Sequence, residues 1–156
     1  MKKHVKDSYV IMHELILPND TNNLNTVFGG KVMQYMDLCA AMSAYKFART
    51  AVVTASVDRL DFLAPARVGD MLILKSSVNY NHNSSMEVGV RIDAENVKTG
   101  KRRHTASAYL TFVSLDDNGK PQKVNNIIPE SDDEKRRYNE GKKRHAQRIE
   151  RLKGRK

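Results

Sequence analysis

The stretch FGGKVMQYMDLCAAMSAYKFAR, residues 28–49, constrains this chain more than any other, because it reads as a helix that is apolar almost all the way round. Between Tyr35 and Tyr45 the only polar side chains are Asp37 and Ser43. At helical spacing Asp37 falls on a stripe with Met33, Ala40, Ala41 and Ala44, and the stripe through Leu38 and Met42 is apolar too. Such a helix is expected to be buried on all sides. A carboxylate carried into that setting loses much of its hydration, and chains keep one there only where it is paired or used. Asp37 is therefore a candidate for chemistry.

Around this helix the sequence reads as strands. Residues 8–17 (SYVIMHELIL) precede it, with Pro18 and the polar NDTNNLN stretch between them. After it come VVTASVDRLDF, MLILKSSVNY, SMEVGVRIDAE and HTASAYLTFVSL. The third of these alternates, with Met86, Val88, Val90, Ile92 and Ala94 on one face and Glu87, Arg91, Asp93 and Glu95 on the other. The hairpin-length connections NHNS (81–84) and KTGK (98–101) predict an antiparallel meander for the last three strands. From Ser131, a plausible N-cap followed by three acids, a basic surface helix is expected. The fold class is α+β: a curved antiparallel sheet of about five strands wrapped around one central helix, with residues 1–130 as the domain and 131–156 as a basic helical extension. One sheet cannot hide a helix on every side, so a homodimer at least is expected.

Charge narrows the function. The net charge is +9, but residues 131–156 carry +6 of it, leaving +3 for the body. No aromatic-studded basic strand is present to stack bases, so nucleic acid is not the expected partner, and no apolar run is long enough to span a membrane. With no secretory leader and a single cysteine, Cys39, in the apolar helix, a cytoplasmic protein is expected. The five histidines lack metal-ligand spacing, and neither a GxxxxGK phosphate loop nor a GxSxG elbow occurs.

The residues Asn22 to Phe28, Gly29, Gly30, Met33 and Asp37, followed by VVTASVDRLDFLAPARVGD, NSSMEV, TG and TFVSLD, resemble the acyl-CoA thioesterases of the hot-dog fold. The resemblance runs from about residue 8 to residue 130. It implies hydrolysis of an acyl-CoA thioester to a free fatty acid and coenzyme A. Asp37 would activate a water or attack the carbonyl, and the helix N-terminal amides near Gly29 and Gly30 would hold the oxyanion. Asn22 would orient the water or the carbonyl from a neighbouring subunit, and Thr54 would position the same water. For coenzyme A the resemblance points to Ala55, Ser56 and Val57, to Ser84, Ser85 and Met86, and to a basic position at Arg144 or His145. No cofactor is implied, coenzyme A being part of substrate and product, and relatives often form trimers of dimers. Many relatives have glycine where this chain has Asn25. Two rival functions remain: a non-catalytic acyl-CoA or fatty-acid sensing module, which needs no Asp37, and a basic RNA-associated protein.

Overall fold

Residues 3–155 are described by the computed structural model. The long apolar segment forms helix α1, Gly29–Ala48, which ends where Arg49 turns left-handed (φ 57) and its N–H bonds to the Tyr45 carbonyl. Before it lie strand β1 (Lys3–His4) and strand β2 (Val10–Leu15); after it come β3 (Ala51–Phe62), β4 (Asp70–His82), β5 (Ser85–Asn96), β6 (Arg102–Leu115), β7 (Ile127–Ile128) and helix α2 (Asp132–Lys153). Five strands make one antiparallel sheet in the order β2-β4-β5-β6-β3. β1 and β7 pair separately in parallel. This is the expected sheet around a central helix, with the meander β4-β5-β6 at its middle.

The sheet's concave face holds the core. Val32, Met36, Cys39, Ala40, Ser43, Ala44 and Phe47 recur at steps of three and four and are all buried against it. The alternation read in the sequence of β5 holds, since Met86, Val88, Val90, Ile92 and Ala94 all lie in the core. Cys39 is fully buried and burial pushes its thiol up, so it packs as a small apolar side chain. The Ser43 and Ser76 hydroxyls meet at 2.6 Å inside this interface, and the Ser76 hydroxyl also donates to the Cys39 carbonyl at 2.9 Å.

The expectation of a helix buried all round is corrected within a single protomer. Met33, Asp37, Leu38 and Tyr45 are exposed, because five strands reach only one side of α1. Ala40 and Ala44, which helical spacing groups with Asp37, turn instead into the core.

Helix α2 crosses the convex face. Its cap is a box: the Ser131 hydroxyl accepts from the Glu134 N–H at 3.1 Å and Glu134 Oε2 accepts from the Ser131 N–H at 3.3 Å. Glu134 also accepts from the Tyr9 hydroxyl at 2.7 Å, tying the helix start to the edge of β2. Gly141 allows the close approach at mid-helix, where an added Cβ would sit 3.0 Å from both Glu87 Oε1 and Tyr80 Cβ. Among the described residues no helix is long and apolar enough to cross a membrane.

Candidate active site

Asp37 and Thr54 meet at the open flank of α1. The Thr54 hydroxyl donates to Asp37 Oδ1 at 2.6 Å, joining helix to edge strand. They share a cleft of about 320 Å³ with Gly30, Met33, Met36 and, on the sheet side, Val57, Leu60 and Leu110. One wall, with Gln34, Asp37 and Thr54, is therefore polar, and the rest is largely apolar.

The first turn of α1 supplies the second chemical element. The N-cap residue, Phe28, makes no side-chain capping bond, and an added Cβ at Gly30 would meet nothing within 4 Å. Uncapped N-terminal amides at the positive end of a helix are donors for a developing negative charge. Gly30 thus brings a backbone donor to the same cleft as the Asp37 carboxylate.

Asn22 does not reach this cleft within the protomer. Its Oδ1 is committed to its own loop, accepting from the N–H of Leu24 at 2.9 Å, the N–H of Thr26 at 3.3 Å and the Thr26 hydroxyl at 3.1 Å. Asn25 in that loop has a φ of 58°, the left-handed conformation that asparagine tolerates. The loop is a preformed turn that holds Asn22 outside the cleft of its own protomer.

The remaining candidate residues lie round the edge of the sheet and on its convex face. In β3, Ala55 is an extra residue without a partner in β6, Ser56 turns outward to donate to Asp58 at 2.7 Å, and Val57 lines the cleft. Ser84 lies in the two-residue β4–β5 turn and Ser85 opens β5, its hydroxyl donating to the His82 carbonyl at 3.0 Å. The Met86 side chain is fully buried in the core, so only its backbone is near that turn.

Both Arg144 and His145 are engaged by neighbours on the convex face. Arg144 donates to both carboxylate oxygens of buried Glu87 at 2.9 and 2.8 Å and stacks over Tyr109 at 3.7 Å. His145 packs against Tyr80 and His82, and burial, aided by the neighbouring His82 and Arg148, holds its pKa below the usual imidazole value. The residues that reach β3 itself are Arg148, which donates to the Ser56 hydroxyl at 3.2 Å, and Arg151, 3.5 Å from Asp58. Sequence reasoning passed over both. Their signal was spacing, since Arg144, Arg148 and Arg151 share one face of α2 at steps of four and three.

The thioesterase superfamily profile matches residues 24–101, which span the end of the loop before α1, α1 itself, β3, β4 and all of β5. An acyl-CoA thioester hydrolase of Bacillus subtilis is 44% identical, covering 92% of this chain and 89% of its own. The chain belongs to the acyl-CoA thioesterase family. Among solved members, an apo-hexameric acyl-CoA thioesterase superposes with a TM-score of 0.93 at 43% identity, covering 97% of each chain. An acyl-CoA hydrolase of Staphylococcus aureus, solved with butyryl coenzyme A and coenzyme A, gives 0.91 at 41% identity, over 97% of this chain and 93% of its own. Alanine variants of that thioesterase have been solved at an asparagine, an aspartate and a threonine. The three are separated in sequence by the same intervals as Asn22, Asp37 and Thr54 here.

Proposed function

We propose that this chain hydrolyses acyl-CoA thioesters to a free fatty acid and coenzyme A, with Asp37 as the base. The observation that carries this reading is the Thr54–Asp37 hydrogen bond at the mouth of a largely apolar cleft beside the open start of α1. Thr54 occupies Oδ1, which leaves Oδ2 for a water. That water gives its proton to Oδ2 as its oxygen bonds to the thioester carbon, and the carbonyl electrons move onto an oxyanion facing the Gly30 amide. Collapse breaks the carbon–sulfur bond, and the proton held by Asp37 passes to the leaving thiolate. Direct attack by the carboxylate, giving a mixed anhydride that water then cleaves, uses the same residues.

Asn22 of a second copy completes this reading by orienting the water or the carbonyl. The copy is supplied by a homodimer: edge strand β3 and the exposed apolar residues Met33, Leu38 and Tyr45 on the open flank of α1 form the candidate face. Three such dimers in a hexamer agree with the hexameric relative. Coenzyme A would run along the Ala55–Val57 backbone and the Ser84–Ser85 turn, with the backbone of Met86, toward the basic turns of α2 that begin at Arg144 and His145. In this reading residues 1–130 are the hot-dog domain, 131–156 its ligand-side extension, the location is the cytoplasm, and no cofactor, nucleic acid or membrane takes part.

Thiol release from a panel of acyl-CoAs, acetyl to palmitoyl, tests it. Turnover by the wild type that falls at least about a hundredfold in Asp37→Ala is expected. Tight acyl-CoA binding without turnover in either protein would instead mark a sensing module.

A further inference from the structure

Strand β3 does not alternate. Its partners on β6 are Thr54↔Phe112, Ser56↔Thr111, Val57↔Leu110 and Arg59↔Tyr109, so Ala55 and Asp58 are each one residue too many. Every such bulge shifts the in–out alternation by one. The result is that Thr54, Val57 and Leu60, spaced by three rather than two, all face the cleft. Without the two bulges a strand that turned Thr54 toward Asp37 would turn Val57 away.

The two bulges are held differently. Ala55 has only a methyl group. Asp58 projects to the convex face with a side chain 13% exposed, and three elements grip it there. Ser56 donates to its Oδ1 at 2.7 Å from the same strand and Thr111 to its Oδ2 at 2.5 Å from β6. From α2, Arg148 and Arg151 stand 3.7 and 3.5 Å from Oδ1.

We propose that Asp58 is a positioning residue that pins the bulged register of β3 from the convex face, and so sets Thr54 against Asp37 on the concave face and couples α2 to the active site. It touches no substrate, and its influence passes through the strand. The inference rests on Asp37 and Thr54 acting in thioester hydrolysis. A bulge kept only to blunt an exposed edge strand would need no such grip from a distant helix.

The test uses the full-length protein and compares kcat and KM for Asp58→Ala, Asp58→Asn and Arg148→Met, each alone and combined with Thr54→Ala, alongside Asp37→Asn. Light scattering and thermal melting run in parallel. Asp58→Ala is expected to lower kcat by about tenfold to a hundredfold with KM changed less, at unchanged mass. Asp58→Asn, which still accepts from a hydroxyl, recovers part of the loss, and Arg148→Met, which removes one of the two arginines, shows a smaller loss of the same kind. In the Thr54→Ala background the Asp58 effect disappears, because the group it positions is gone. The proposal is overturned if the Asp58 variants keep wild-type kcat, if their losses multiply with that of Thr54→Ala, or if lost activity merely follows dissociation of the oligomer. Should Asp37→Asn retain turnover while the Asp58 and Thr54 losses still coincide, the reading of Asp37 fails and the positioning role of Asp58 stands.

Discussion

The Thr54 hydroxyl and Asp37 Oδ1, 2.6 Å apart, join the exposed flank of the central helix to the edge strand beside it. A hydrogen bond of this kind to a carboxylate restricts its rotamer and engages only one of its two oxygens. Thr54→Val keeps the shape and removes the donor. It is expected to lower kcat by about tenfold with little change in melting temperature, and Thr54→Ser to restore most of it, in the same thiol-release assay.

The buried pair Arg144–Glu87 predicts an asymmetric stability pattern. Glu87 is 6% exposed, so removing only Arg144 strands a carboxylate on the convex face beneath α2. Arg144→Met is expected to destabilise the protein by about 3 to 5 kcal/mol, and Arg144→Met combined with Glu87→Gln by clearly less, in urea unfolding. Equal costs for the single and double variants would show that the pair is not a buried charge problem.

Acid should loosen the start of α2. Burial alone raises the Glu134 carboxyl, but the N–H of Glu130, the Tyr9 hydroxyl and the N–H of Ser131 outweigh it and hold the pKa below the usual glutamate value. The stability this contributes is present above about pH 4.5, the ordinary value, and is lost as pH falls through the lowered one. The wild-type melting temperature should fall over that window. Glu134→Gln should start lower at neutral pH and fall less, as followed by circular dichroism.

Leu38, 51% exposed, follows Asp37 on the open flank of α1. Leu38→Lys is expected to lower the mass in light scattering and to abolish turnover together, since it would bury an unpaired ammonium in the proposed dimer face. A variant that becomes smaller yet stays active would separate assembly from the site.

How far the sequence revealed this molecule depended on periodicity. The helix, the meander and the alternation of β5 were legible because their apolar residues repeat at steps that only one backbone geometry produces. Asp37 stood out for the same reason, as a charge on an apolar helix. The turning of β3 toward the cleft was not legible, because two bulges replace a period of two with one of three, and nothing in VVTASVDRLDF announces which residues are extra. Arg148 and Arg151 were hidden among many other basic residues of the tail, where charge count says nothing of which face meets the sheet. Asn22 and Asp37 lie in one sequence motif but not in one cleft of the protomer, since a single chain's pattern carries no information about a neighbour's placement.

The hydroxyl contact between Ser43 and Ser76, set in an otherwise oily helix–sheet interface, has a consequence for precision. Apolar surfaces slide with little penalty, but moving α1 along its axis by one turn, about 5.4 Å, would strand both hydroxyls in hydrocarbon. The pair therefore works as a detent: it gives the helix one resting place along the sheet, and with it one reach from carboxylate to threonine at the far flank.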